Sequence, residues 1–372
     1  MFQRDKAPSM VSKPIRVLVV DDSAFMRYLI SKQLSADEAV EVVATARDGV
    51  DALEKVSKLG PDVVTMDLEM PRMDGLTALE RLMAETPVPV ILLSSLTREG
   101  AAVTIRGLEL GAVDFVTKPS PVEAAVSDST WQQLLAKVRT AAGLKARKLR
   151  LGAAVPRRPK PLGTLPLPGK RPGGLRKVVI VGTSTGGPRA LFEVVPRLPP
   201  DLPAAVLIVQ HMPPGFTHSL ANRLNDVSSI EVREASDGDI VRVGTALVAP
   251  GDFHMVVRRG NRVSLEKTPP LHGVRPAVDV TMESAASIYG PSTLGVVLTG
   301  MGSDGTSGAI AIRRSGGYVI SEDETTCVVY GMPRSVREAN ATDRVVRLET
   351  VADAIVQAVS AGGEWEVART AG

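Results

Sequence analysis

With 372 residues the chain is long enough for two domains, each with its own core. A formal net charge of +3 and a pI of about 9.0 would suit a nucleic-acid partner. Yet no acidic residue occurs from Ser129 through Phe192, while Lys145 to Lys177 holds 11 Lys and Arg; without that stretch 33 basic residues stand against 41 acidic, a balance of −8, so the basicity belongs to a linker and no nucleic-acid partner is expected.

The single cysteine, Cys327, excludes an intrachain disulfide and suits a reducing compartment. The opening MFQRDKAPSMVSKP lacks the apolar core of a signal peptide, and no run of about 18 apolar residues offers a membrane span. A soluble cytoplasmic protein without direct membrane insertion is the expectation.

From Ile15 short apolar runs alternate with helical patterns: IRVLVV then FMRYLISKQL, VEVVATA then VDALEKVSKL, followed by DVVTMDL, VPVILLS and DFVTKP. Such alternation builds βαβ units around a parallel sheet. The first domain spans residues 1–142 and ends in the amphipathic WQQLLAKVRTA. Residues 143–175 lose periodicity and collect Pro, Gly and basic residues, the composition of a semi-extended tether.

The second domain, residues 176–372, resumes with VVIVG, AAVLIVQH, LGVVLTGM and GGYVISE, a doubly wound, mainly parallel α/β sheet. Within it Arg259-Gly260-Asn261-Arg262 separates two apolar-polar strands and predicts an antiparallel hairpin insertion.

Asp21 and Asp22 follow the first strand, Asp67 the third, Ser94 the fourth and Lys118 the fifth, so a parallel sheet brings all of them to one edge. Three crowded carboxylates repel unless a hard divalent cation joins them, and Mg²⁺ suits such oxygens. Asp67 can then attack a phosphoryl group while Lys118 neutralises developing charge.

This conjunction, with Asp67-Leu68-Glu69-Met70-Pro71 and Lys118-Pro119, resembles the receiver domain of bacterial response regulators over about residues 14 to 135, a flavodoxin-like (βα)5 fold. The resemblance implies that Asp67 accepts phosphate from a histidine kinase. It further implies that Asp21 and Asp22 hold Mg²⁺ with Asp67 and the backbone carbonyl of Glu69, that Ser94 and Phe115 take switch positions, and that Lys118-Pro119 is cis.

In the second domain KVVIVGTSTGGP turns sharply from a buried strand into a helix, which sets Ser184 at a strand's carboxyl end where a nucleophile is presented. Among four histidines His211, directly after AAVLIVQ, reaches the same edge; His218, His254 and His272 fall in a helical pattern, a strand and a Pro-flanked loop. Asp304, in GMGSDG after TLGVVLT, is the expected orienting carboxylate, with Asp279 as its nearest rival. The N–H of Thr185 or Met301 is the candidate oxyanion donor.

Gly182-x-Ser-x-Gly186 also matches the nucleophile elbow of α/β-hydrolases, but the order Ser, His, Asp differs from their Ser, acid, His. A dinucleotide loop is disfavoured because its middle glycine would fall at Ser184.

The phrases GTSTGGP, QHMPPGFTHSLANRLN, VAPGDFHM, GVRPAVDV and LTGMGSDG, behind a receiver and a linker, are similar to the CheB family of chemotaxis protein-glutamate methylesterases. That resemblance implies Ser184 as nucleophile, His211 as base and Asp304 as orienter, with Thr185 close by. It also implies the cytoplasmic domains of methyl-accepting chemoreceptors as substrate, glutamine deamidation as a second activity, no cofactor for ester hydrolysis, and a receiver that restrains the esterase until phosphorylated. Two other classes are kept beside it: a receiver joined to a noncatalytic binding module, and a receiver controlling transcription.

Overall fold

The computed structural model describes residues 13–118, 128–144 and 177–360. It divides into two compact units, Met1–Ser94 with Phe115–Leu149, and Ser95–Asp114 with Arg150–Gly372. Nearly all of the segment expected as a linker, and Pro119 of the Lys118-Pro119 bond, lie outside the described residues; the cis bond found among those described is Arg275-Pro276.

The first unit is built on β1 (Ile15–Val20), β2 (Val40–Ala46), β3 (Val63–Asp67), β4 (Val90–Ser94) and β5 (Asp114–Thr117), in the order β2-β1-β3-β4-β5. Val17 through Val20, Val63, Val64 and Met66 are fully buried, which is why these runs are apolar without alternation. The helices α1 (Ala24–Leu34), α2 (Gly49–Leu59), α3 (Gly75–Glu85) and α5 (Asp128–Ala142) complete it, while α4 (Arg98–Leu110) groups with the second unit. Ser23, Asp48, Asp74 and Thr97 cap α1 to α4, each accepting a first-turn N–H.

The second unit carries a seven-stranded sheet. Its strands are β6 (Val178–Thr183), β7 (Ala205–Gln210), β8 (Glu231–Glu234), β9 (Thr245–Val248), β12 (Thr293–Val297), β13 (Tyr318–Glu322) and β14 (Arg344–Val346), in the order β14-β13-β12-β6-β7-β9-β8 with every pairing parallel. The hairpin expected around Gly260 is present as β10 (His254–Arg258) and β11 (Arg262–Glu266), an antiparallel pair forming its own two-stranded sheet. Helices α6 (Gly187–Val194), α7 (Phe216–Val227), α8 (Val278–Tyr289), α9 (Thr306–Arg314), α10 (Met332–Glu338) and α11 (Leu348–Ser360) connect and cover the strands.

From β6 the chain winds outward through β7 to β8 and β9, then returns to β6's other side as β12 and winds away through β13 and β14. The order therefore reverses between β6 and β12. In an open parallel sheet this reversal opens a crevice at the carboxyl ends of the two strands.

Candidate active site

In the first unit one oxygen each from Asp21, Asp22 and Asp67 lies within 4.8 Å of the others. Asp21 and Asp67 are buried, and the ammonium of Lys118 sits 2.8 Å from Asp21 Oδ2 and 2.7 Å from Asp67 Oδ2. Burial pushes the Asp67 carboxyl up, against the pull of Lys118 and with help from the charge of Asp21. Burial would lower Lys118, but the two carboxylates outweigh it and hold the amine above its ordinary value. This is a donor set of hard carboxylate oxygens, and it suits Mg²⁺.

Glu69 donates its N–H to Asp67 Oδ1 at 3.3 Å. Ser94 is buried at the end of β4, where its carbonyl accepts the Lys118 N–H at 2.8 Å. Phe115 is buried, with its carbonyl accepting from Lys137 Nζ at 2.6 Å.

In the second unit, Ser184 follows β6 at the reversal point. The turn into α6 needs Gly186 at φ +78, and Pro188 occupies the first helical turn, where its missing N–H costs nothing. Ser184 is held from both neighbouring strands: its N–H donates to the Thr299 carbonyl at 3.0 Å, and its carbonyl accepts from Gln210 Nε2 at 3.0 Å. The same amide nitrogen donates to the His211 carbonyl at 3.0 Å, so Gln210 ties the ends of β6 and β7 together. Close approach also fixes Gly300, because a Cβ there would stand 2.8 Å from Ser184 Cβ and 2.3 Å from Met332 Sδ.

His211 directly follows β7, and its N–H donates to the Thr183 carbonyl at 3.2 Å. Its Nε2 lies 2.7 Å from Asp304 Oδ2. Asp304 is buried and receives three further donors: Val278 N–H at 2.7 Å on Oδ2, and Asp279 and Gly305 N–H at 2.9 Å on Oδ1. Two of these belong to the first turn of α8, whose positive end favours a carboxylate. Burial alone would raise the Asp304 carboxyl, but the hydrogen bond and charge of His211 with the backbone N–H groups hold it below its ordinary value.

Asp279 is buried beside this pair, with a carboxylate oxygen within 4.8 Å of one of Asp304, but its own bonds go to other partners. Its Oδ1 accepts from Gly308 N–H at 2.7 Å and its Oδ2 lies 2.9 Å from His272 Nε2. Burial first, then the charge of Asp304, pushes its carboxyl up. His218 pairs with Glu234 at 3.4 Å, and buried His254 contacts the Pro269 carbonyl at 3.2 Å.

Among the described residues the Ser184 hydroxyl has no hydrogen-bond partner, so Ser184 and His211 are neighbours at the sheet edge without a direct bond. Thr185 is buried and donates from Oγ1 to Asp114 Oδ2 at 2.7 Å, while Met301 is 40% exposed.

Sequence reading passed over three residues that shape this edge: Gln210, Thr299 and Glu322. Each is a buried polar residue ending or following an apolar strand run, and that interruption is the signal which marks them.

Residues 179–355 match the family model described as CheB methylesterase, and residues 17–127 match the response regulator receiver domain. A protein of Symbiobacterium thermophilum named protein-glutamate methylesterase/protein-glutamine glutaminase is 52% identical, covering 95% of this chain and 99% of its own. Proteins of the same name from Pyrococcus abyssi and Thermotoga maritima are 46% and 44% identical, each covering 94% of this chain and 95% and 100% of their own.

Proposed function

The chain belongs to the CheB methylesterase family, and we propose that it hydrolyses methyl esters of glutamate side chains on the cytoplasmic domains of chemoreceptors. In this reading Ser184, His211 and Asp304 are its triad, receptor glutamines are a second, slower substrate, and the reaction serves adaptation in the cytoplasm. The observation that carries it is the His211–Asp304 bond beside the strand end that presents Ser184.

Because Nε2 of His211 faces the carboxylate, it carries the ring proton and leaves the Nδ1 lone pair to accept one. His211 takes the Ser184 proton as Oγ attacks the acyl carbon. The tetrahedral intermediate collapses, the C–O bond to methoxide breaks, and His211 returns the proton so that methanol leaves. Water then adds to the acyl-serine by the same base, freeing the glutamate carboxylate and restoring Ser184. An amide follows the same path and releases ammonia.

A serine–histidine bond absent at rest and formed with substrate is common in such sites. The depressed Asp304 stays ionised throughout and stabilises the imidazolium. The N–H groups of Thr185 and Met301 are the proposed oxyanion donors, beside the positive end of α6. No cofactor enters these steps.

The receiver supplies control. A histidine kinase or a small phosphodonor transfers phosphate to Asp67, with Lys118 and Ser94 placed to hold it. Asp21, Asp22, Asp67 and the Glu69 carbonyl would bind Mg²⁺, whose chemistry is to neutralise charge on the transferred group. A coupling of about 1–3 kcal/mol between the phosphorylated state and the open esterase is enough for a graded response.

The assignment of roles is tested by labelling with an acyl-transferring serine probe. Covalent label at Ser184 that is lost in His211→Ala agrees with the triad; label elsewhere, or none, contradicts it. Nucleic acid and membrane insertion have no part in this reading; among the described residues no helix is long and apolar enough to cross a membrane.

A further inference from the structure

The last residue of β13, Glu322, is fully buried in an apolar sheet, a costly place for a carboxylate. Both oxygens are engaged at the active edge. Oε2 accepts the Thr299 N–H at 2.8 Å and Oε1 accepts the Thr326 hydroxyl at 3.0 Å.

Thr299 in turn bonds three consecutive residues around the nucleophile. Its carbonyl accepts the Ser184 N–H and the Thr183 hydroxyl, each at 3.0 Å. Its hydroxyl donates to the Thr185 carbonyl at 3.0 Å and accepts the Val329 N–H at 2.8 Å. One carboxylate thus holds the N–H of Thr299, and the carbonyl and hydroxyl of the same residue bond residues 183 to 185.

We propose that Glu322 is a positioning residue for the esterase, setting the backbone of Ser184 through Thr299. Its ionised form holds the Thr299 N–H by a charge-assisted bond, which is shorter and stronger than a neutral one. Protonation turns one oxygen into a donor and loosens that hold.

The groups that face it are few. Arg189 on α6 attracts it without a direct ion pair and is shared with Glu193 and Glu349; the Cys327 thiol and the Thr326 hydroxyl lie on the following loop. Burial pushes the carboxyl up to about 7, against the bonds from Thr299, Thr326 and Cys327 and the charge of Arg189. The change between the two forms is therefore centred on about pH 7.

The proposal rests on the esterase reading for its activity readout, and amide exchange supplies a second, independent one. The full chain, with a small phosphodonor and Mg²⁺, is assayed for methanol release from methylated receptor membranes as wild type and as Glu322→Gln, which keeps the shape but does not titrate. The wild-type to variant kcat ratio cancels the pH dependence of phosphorylation. It is expected to fall at least about fivefold from about pH 8 to about pH 5.5, with KM unchanged. In Glu322→Ala the Ser184 and Thr299 amides are expected to exchange at least about tenfold faster.

A ratio constant within about twofold across that range would overturn the proposal. Should Glu322→Ala not fold, the exchange comparison is made on Glu322→Gln. Absence of methanol from the wild type would refute the esterase reading instead. The positioning claim is then decided by Ser184 and Thr299 exchange: faster exchange in the variant supports it, and equal rates overturn it.

Discussion

Nε2 of His211 and Oδ2 of Asp304 lie 2.7 Å apart, and the same oxygen accepts the Val278 N–H at 2.7 Å. The bond that orients the imidazole is therefore also part of the cap of α8. A single carboxylate couples the placement of the base to the packing of a helix, so damage to either should appear in both activity and stability.

Asp304→Asn is expected to lower kcat by about 10³- to 10⁴-fold, because an amide cannot hold the imidazole in the required tautomer. It should also cost about 1–3 kcal/mol, since one oxygen must serve donors that now share two. The Asp304 carboxyl is depressed, so its contribution is complete above its ordinary value of 3.8 and is lost as pH falls through the lower folded value. Urea unfolding of both proteins checks this: the stability gap should narrow only on acidification below the ordinary carboxylate range.

Gly300→Ala is expected to lower kcat by about 10²-fold with modest change in KM, because the new methyl would stand 2.8 Å from Ser184 Cβ and displace the nucleophile. Met332 Sδ, at 2.3 Å, can move aside; the Ser184 backbone, held from both strands, cannot. Steady-state methanol release at saturating receptor decides the matter, and an unchanged kcat would contradict it.

Much of this was legible in the chain. Ser184 and His211 end apolar runs that can only be buried parallel strands, so their convergence follows from topology, and GMGSDG announced a carboxylate on a tight backbone. The hairpin at Gly260 declared itself by alternation and turn residues. The strands β8 (EVRE) and β14 (RVV) did not, since short edge strands with charged residues carry little apolar signal. Nor did the link from Glu322 to Thr299, which depends on how β13 lies beside β12; nothing local in YVISE states that register.

Glu322 also makes a prediction about stability. Its folded value of about 7 lies above the ordinary 4.5, so the native state holds the proton more tightly. The contribution is complete below 4.5 and is lost as pH rises through about 7. Relative to Glu322→Gln, the wild type should lose about 3 kcal/mol of unfolding free energy between about pH 4.5 and about pH 8. Thermal or urea unfolding across that range checks it, and a gap independent of pH would contradict it.

For the receiver, chelation of divalent cations is expected to abolish stimulation by a small phosphodonor, because Asp21 and Asp67 would then face the incoming phosphate with only Lys118 between them. Asp67→Asn should likewise abolish the response. Stimulation that survives either treatment would place the phosphoryl site elsewhere.

Removal of residues 1–142 is expected to raise basal esterase activity. The truncation takes away Asp114, whose carboxylate accepts the Thr185 hydroxyl at 2.7 Å next to the nucleophile. Equal or lower activity in the fragment would contradict autoinhibition.

The most direct test is methanol release from methylated receptor membranes by the full chain, by Ser184→Ala, and by the full chain given a small phosphodonor with Mg²⁺. Release from the wild type is expected, rising on phosphorylation and vanishing in the variant. No release from the wild type under either condition, or equal release from Ser184→Ala, would contradict it.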